Sequence, residues 1–222
     1  MSQTESADRT GTRAEMREET ERLILDAAER VFAEKGFGGA TMQAIADGCA
    51  LPKANLHYYF ASKEKLYHQV VERIFTIWLK AADSFETSAS PDVALRHYIT
   101  RKMQLSREHR FGSKVWANEV MHGAPIIQDY LETTLRGWTE SRAAVIRRWI
   151  DTGAIHPVEP RWLLYMIWAT TQHYADFAHQ VETLNHGPLT DAQWSDATET
   201  VCGIILRGIG LGHGNSNGPA PA

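Results

Sequence analysis

Thr41-Met-Gln-Ala-Ile-Ala-Asp-Gly-Cys-Ala-Leu-Pro-Lys-Ala-Asn-Leu-His-Tyr-Tyr-Phe60, followed by Ala61-Ser-Lys-Glu-Lys-Leu-Tyr67, decides the fold of this chain. It reads as two short helices joined by a tight turn, then the N-terminus of a long apolar-striped helix. Ala44 and Ile45 point inward from the first short helix, and Pro52 suits the first helical position of the second. Leu51 and Leu56 face a small core, which leaves Lys53, Ala54, Asn55, His57 and Tyr58 outward. A solvent-facing helix usually carries several charges. This one offers an amide, an imidazole, a phenol and one lysine, groups suited to base edges, sugars and phosphates when a helix enters the DNA major groove. Thr41 and Lys63, at the two ends of the hairpin, are the matching candidates for phosphate. Ala50 stands in the turn, where a positive φ would cost about 1 kcal/mol unless Gly48 shifts the turn.

Outward from this hairpin the chain reads as helix nearly throughout. Residues 1–15 are polar and without period, so a mobile arm is predicted. A first helix is predicted from about Thr20 to Lys35, with Gly36 ending it. Ser62 can cap a helix whose inner stripe is Leu66, Val70, Ile74, Ile77 and Trp78. Ser84 to Ser90 reads as loop, and Pro91 opens a helix to about Arg110. A short helix near Ser113 to His122 and long ones to Thr152 and from Pro160 to Leu184 follow. The last helix covers Asp191 to Ile209. The expected organisation is an arm (1–15), a three-helix DNA-binding domain (16–66), a helical ligand-binding and dimerisation domain (67–210) and a tail (211–222).

Composition sets looser bounds. The 222 residues carry 23 Lys and Arg against 27 Asp and Glu, a net charge of −4, and the first 73 residues hold 10 basic against 12 acidic groups. Any attraction to DNA must therefore be local, through Arg9 and Arg13 on the arm and through Lys53, Lys63 and Lys65. No apolar run is long enough to span a bilayer and the first twenty residues are polar, so a cytoplasmic protein without membrane contact is expected. Cys49 and Cys202 lie far apart and suit reduced thiols. Glu119-Val-Met-His122 has the spacing of one half of a di-iron carboxylate site, but the second copy such a site needs is missing. No phosphate loop or nucleophile motif is present; neither enzyme activity, metal nor cofactor is expected.

A second stretch, Trp162-Leu-Leu-Tyr-Met-Ile-Trp-Ala-Thr-Thr-Gln-His-Tyr-Ala-Asp-Phe-Ala178, places Tyr165, Trp168, Thr171 and Gln172 on one side of a helix. Polar groups among apolar neighbours need partners, which either a small planar ligand or a subunit interface would supply. Trp78 and Trp116 fit the lining of either arrangement. Apolar residues that one subunit cannot easily cover, Trp162, Ile167, Phe177 and Val181 on one helix and Val201, Ile204, Ile205 and Ile209 on another, predict a two-fold four-helix homodimer interface.

The hairpin and its flanks resemble the TetR family of transcriptional regulators. The resemblance rests on Phe32-Ala-Glu-Lys-Gly36-Phe37, Thr41-Met-Gln-Ala-Ile45-Ala46 and His57-Tyr58-Tyr59-Phe60-Ala-Ser62-Lys63-Glu64-Lys-Leu66. His57, Ala50 and Pro52 depart from the family's usual residues. Ile77-Trp78-Leu79, Gly123-Ala124-Pro125 and Met166 to Glu182 are similar to the branch of pyrimidine-utilisation repressors that respond to uracil or thymine. The resemblance implies an all-α dimeric repressor that binds double-stranded operator DNA and is released by a small-molecule effector, with Trp78, Trp168 and Gln172 near the ligand. The alternative from the residues alone is a helical-bundle binding protein or enzyme whose hairpin is only structural.

Overall fold

The computed structural model describes residues 4–82, 84–87 and 90–211, with side chains described from residue 14 onward except those of residues 86 and 87. The helices are α1 (Thr4–Gly39), α2 (Met42–Gly48), α3 (Lys53–Tyr59), α4 (Lys63–Lys80), α5 (Ser84–Thr87) and α6 (Pro91–Glu108). They continue as α7 (Arg110–Met121), α8 (Gln128–Tyr130), a π-helical turn (Leu131–Leu135), α9 (Arg136–Asp151), α10 (Pro160–Asp176), α11 (Ala178–Leu184) and α12 (Asp191–Gly208). No strand occurs among the described residues, and the all-α class expected from the sequence is the class found.

Two compact units divide the chain. One holds Met1–Phe75 with Lys114–Ile127, the other Thr76–Ser113 with Gln128–Ala222. In the first, Ile24, Ala28 and Phe32 of α1 close over Ile45 of α2, Leu56 of α3, and Leu66, Val70 and Ile74 of α4, all buried. Tyr67 completes this core edge-on to Phe32 and Phe37, with centroids 4.9 and 5.0 Å away. In the second unit α6 packs against α10 and α12. Its core gathers Leu95, Tyr98 and Ile99 of α6, Ile146 of α9, Leu163, Leu164 and Ile167 of α10, and Cys202, Ile205 and Leu206 of α12.

Local signals held in most places. Gly36, at φ 66, breaks α1 as expected. Ser62 Oγ accepts from the Lys65 amide at 3.3 Å to start α4, Thr190 and Gln193 close a capping box on α12, and Gly153, at φ 70, follows the end of α9. Cys49 and Cys202 are free thiols. Four expectations change. Helix α1 starts at Thr4 rather than near Thr20, so residues 4–15 of the expected arm are helical; residues 1–3 and 212–222 lie outside the described residues. The segment after Ser84 forms the short α5, held by burial of Phe85 and by Ser84 Oγ donating to the Ala94 carbonyl at 3.1 Å. Pro52 stands just outside α3, its carbonyl accepting from the Asn55 amide at 2.9 Å. The helix from Pro160 is interrupted at Phe177 (φ −110, ψ 29), which separates α10 from α11.

Candidate functional site

Helix α3 presents the expected outer face. Lys53, Ala54, Asn55, His57 and Tyr58 are all exposed, Tyr58 by 73%, while Leu56 is fully buried and fixes the rotation of the helix. The turn before it gives Ala50 a φ of 55°, so Ala50 itself takes the left-handed conformation and Gly48 does not relieve it. Thr41 caps α2 by accepting from the Ala44 amide at 3.1 Å and is exposed, so the cap leaves its hydroxyl hydrogen unused.

Lys63 is committed differently from a free surface lysine. Its ammonium donates to the carbonyls of Phe37 (2.8 Å) and Ala40 (3.0 Å) and lies 4.4 Å from the Phe37 ring centroid. Gly36 has just broken α1 there, and Lys63 satisfies two of the carbonyls that follow the break. One of its three hydrogens is left without a carbonyl partner among the described residues. The side chains of Arg9 and Arg13 lie outside those described.

In the second unit, α6, α9 and α10 bring an aromatic cluster together. Tyr98 and Lys102 lie one turn apart on α6; Trp168, Gln172 and Asp176 repeat at the same spacing on α10. The Trp168 indole N–H donates to the Tyr98 hydroxyl at 2.8 Å. Burial pushes the Tyr98 phenol well above its ordinary value, so it remains protonated. Trp138 of α9 stands 6.1 Å from Trp168, and its buried indole N–H has no hydrogen-bond partner among the described residues. Trp78 lies beneath the Lys102 ammonium, 4.5 Å from ring centroid to nitrogen. Burial draws that ammonium down to about 7 against the opposing pull of Asp176, whose carboxylate accepts from the Ser113 hydroxyl. The Gln172 amide is half-buried and makes no hydrogen bond among the described residues.

Trp78 and Trp168 thus both meet α6, through Lys102 and Tyr98, and Gln172 follows Trp168 by one turn of α10, whereas three other expected ligand residues are placed differently. Thr171 is fully buried and its hydroxyl donates to the Ile167 carbonyl at 2.7 Å within its own helix, the usual way a helical threonine disposes of its hydrogen. Tyr165 is half-exposed, 5.4 Å from Trp168. Trp116 belongs to the first unit, 5.2 Å from Phe75. Lys102, Tyr98 and Trp138 were missed by sequence reasoning; the available signal was a lysine in register with the apolar stripe of α6.

The outer faces of α10, α11 and α12 also require correction. Val201 and Ile205 are buried in the subunit's own core, because α12 turns them toward α6. Trp162 (69%), Phe177 (52%) and Ile204 (59%) remain exposed, and Val181 is half-buried. Met166 and Leu184, not anticipated, are exposed as well. Among the described residues no group of three His, Cys, Asp or Glu could hold a metal ion, and Glu119 is occupied by Tyr67 and the Ile126 amide. No helix among them is long and apolar enough to cross a membrane.

Comparison with known proteins agrees with this geometry. Residues 24–70 match the family described as bacterial regulatory proteins, tetR family, and residues 71–212 match the YcdC-like protein C-terminal region. The chain is 38% identical to the HTH-type transcriptional regulator RutR of Escherichia coli over 201 residues, covering 90% of this chain and 95% of that one. It is 30% identical to the HTH-type transcriptional repressor NicS of Pseudomonas putida over 149 residues, 65% of this chain and 68% of that one. Two solved structures share the fold. The ketosteroid transcriptional regulator KstR2 of Mycobacterium tuberculosis has a TM-score of 0.68 and 20% identity, covering 85% of this chain and 94% of that one. AibR in complex with isovaleryl coenzyme A and operator DNA has a TM-score of 0.66 and 18% identity, covering 83% and 97%. The chain therefore belongs to the TetR family and is a DNA-binding transcriptional regulator rather than an enzyme.

Proposed function

We propose that this regulator is a cytoplasmic homodimeric repressor, released from its operator by a pyrimidine base such as uracil or thymine. Asn55 and His57 meet base edges, Lys53, Tyr58, Thr41 and the remaining hydrogen of Lys63 meet phosphates, and Ala54 allows close approach to the groove floor. Two copies of α3 across a two-fold axis read half-sites about 34–36 Å apart or a multiple of that spacing. The dimer forms through the outer faces of α10, α11 and α12, around Trp162, Phe177, Val181 and Ile204.

A single observation carries the effector reading. The Gln172 amide, which can both donate and accept, makes no hydrogen bond among the described residues and lies one turn beyond the Trp168 indole. A planar imide supplies a stacking face for the indole and a donor–acceptor edge for the amide. The 38% identity to RutR supports the same branch of the family. A ligand of about eight heavy atoms is limited to roughly −12 kcal/mol, and an affinity near 1 μM, about −8 kcal/mol, is expected. To induce, the base must favour the state whose reading helices are mis-spaced for the operator, by a coupling of about 1–3 kcal/mol. Calorimetry with uracil and thymine on the wild type and on Gln172→Ala tests this: heat in the first and its loss in the second are expected. Silence with both bases, from protein that shifts its operator, removes the pyrimidine and leaves the repressor.

A further inference from the structure

Lys102 has no place in the reading so far, yet it is a lysine buried in the second unit. It is 3% exposed, lies among Leu95, Tyr98, Ile99, Met103 and Leu105 of the same helix, and makes no hydrogen bond or ion pair among the described residues. An ammonium has three hydrogens to place, and a lysine that is 3% exposed keeps little water with which to meet them. The Trp78 face offers a cation one soft contact and no acceptor lone pair. The charged groups near it are few. Asp176 of α10 acts on it from a distance, and Arg142 of α9 influences Tyr98 one turn away. Helix α4 presents Trp78, α5 presents Phe85, and α12 directs Cys202 toward Thr100. None of these supplies a hydrogen-bonded acceptor to the ammonium.

The neighbouring polar groups have the same need. Trp138 holds an unmet indole N–H, and the Tyr98 hydroxyl, which accepts from Trp168, has no acceptor for its own hydrogen among the described residues. Among the described residues donors therefore outnumber acceptors in this cluster, and a ligand suited to it brings acceptor atoms.

We propose that Lys102 reads the effector: its ammonium donates to a carbonyl oxygen of the cyclic imide held between Trp78 and Trp168, and the ligand supplies the acceptor that the folded chain withholds. This rests on the pyrimidine reading and extends it, because it makes the carbonyl, rather than ring shape alone, the feature selected. It also ties binding to a proton. Free Lys102 loses its proton at about 7; a bound carbonyl favours the ammonium and raises that value. Uracil binding then takes up a proton above pH 7, and affinity falls roughly tenfold per pH unit there, the slope of one linked proton.

The test is uracil titration calorimetry on the full-length protein from pH 6 to 8.5, in buffers of different ionisation enthalpy, with wild type and Lys102→Met. Methionine keeps the length of the stem and removes the charge; an unchanged circular dichroism spectrum certifies its fold. Expected are proton uptake approaching one per site in the wild type at pH 8, and at least tenfold weaker, pH-independent binding in Lys102→Met at pH 6.5. Wild-type binding with no proton uptake at pH 8 overturns the proposal, even if the variant fails to fold. So does a folded variant that binds uracil within twofold of the wild type. A wild type that binds neither uracil nor thymine at any pH removes the pyrimidine reading itself, together with the ligand this proposal needs.

Discussion

Tyr67 donates its phenol hydrogen to Oε2 of Glu119 at 2.8 Å, while Oε1 of the same carboxylate accepts from the Ile126 amide at 2.7 Å. Glu119 is buried, so each oxygen depends on that single partner. The bond joins α4 to α7 within the first unit and holds the turn in which Gly123 (φ 85) and Ala124 (φ 55) reverse the chain. Tyr67→Phe keeps the ring against Phe32 and Phe37 but leaves Oε2 unmet. A loss of about 1–3 kcal/mol is expected, read as a lower urea midpoint. A shift below about 0.5 kcal/mol would mean that water replaces the phenol.

Substitutions on α3 should separate into two kinds. Asn55→Ala and His57→Ala, made on exposed positions, should each cost roughly 1–3 kcal/mol of operator affinity and relax sequence preference, with no change in thermal stability. Lys53→Ala should weaken all duplexes alike and lower the salt slope by about one. Unchanged operator affinity in both Asn55→Ala and His57→Ala would move the reading face elsewhere.

Ala50→Gly tests the turn. Alanine at φ 55 carries a left-handed strain of about 1 kcal/mol that glycine lacks, partly offset by the greater freedom of glycine in the unfolded chain. A net gain of a few tenths to about 1 kcal/mol is expected in chemical unfolding. Destabilisation by Ala50→Gly would show that the Ala50 methyl makes contacts worth more than the strain.

Lys102 should give the fold a distinctive pH dependence. Its ordinary value of 10.5 applies to the unfolded chain, and burial lowers it to about 7 in the folded one. Between those values the unfolded chain holds more protons, so the Lys102 contribution to stability rises with pH. The penalty is complete below about pH 7 and fades as pH climbs toward 10.5; its size is of the order of 4–5 kcal/mol. Lys102→Met should be the more stable protein at pH 6–7, with the difference shrinking by pH 10. Parallel curves for the two proteins would place the ammonium in water.

The apolar outer face should hold two copies together. Ile204→Asp introduces a charge at a position 59% exposed in the single chain, so the subunit should fold normally. Sedimentation at micromolar concentration should move from about twice 25.0 kDa to a single 25.0 kDa species. An intact dimer would exclude Ile204 from the interface.

The helix-turn-helix was legible because its signals are local. Gly36 and Ser62 mark breaks and caps by their own chemistry, and Leu56 against five non-leucine neighbours fixes which way α3 faces. The interruption at Phe177 was not, since neither proline nor glycine stands there and the residues on both sides favour helix. Val201, Ile204 and Ile205 share one apolar pattern, and only the packing of α12 on α6 separates buried from exposed. Lys102 escaped for the opposite reason: a lysine in a helix normally marks the solvated side, and its register with the apolar stripe of α6 was the one local sign against that.

The break at Phe177 has a consequence for how two copies register. A straight apolar helix face offers a partner nearly equivalent seatings one turn, about 5.4 Å, apart, because each shift replaces one set of knobs and holes by another much like it. Separating α10 from α11 removes that degeneracy, since a sliding partner would meet the interruption at the wrong place. The His173 ring stacks on Phe177 at the break, with centroids 5.0 Å apart. In the proposed dimer, a feature that looks like a defect in one helix would act as an index stop for the pair, leaving one seating of the two copies.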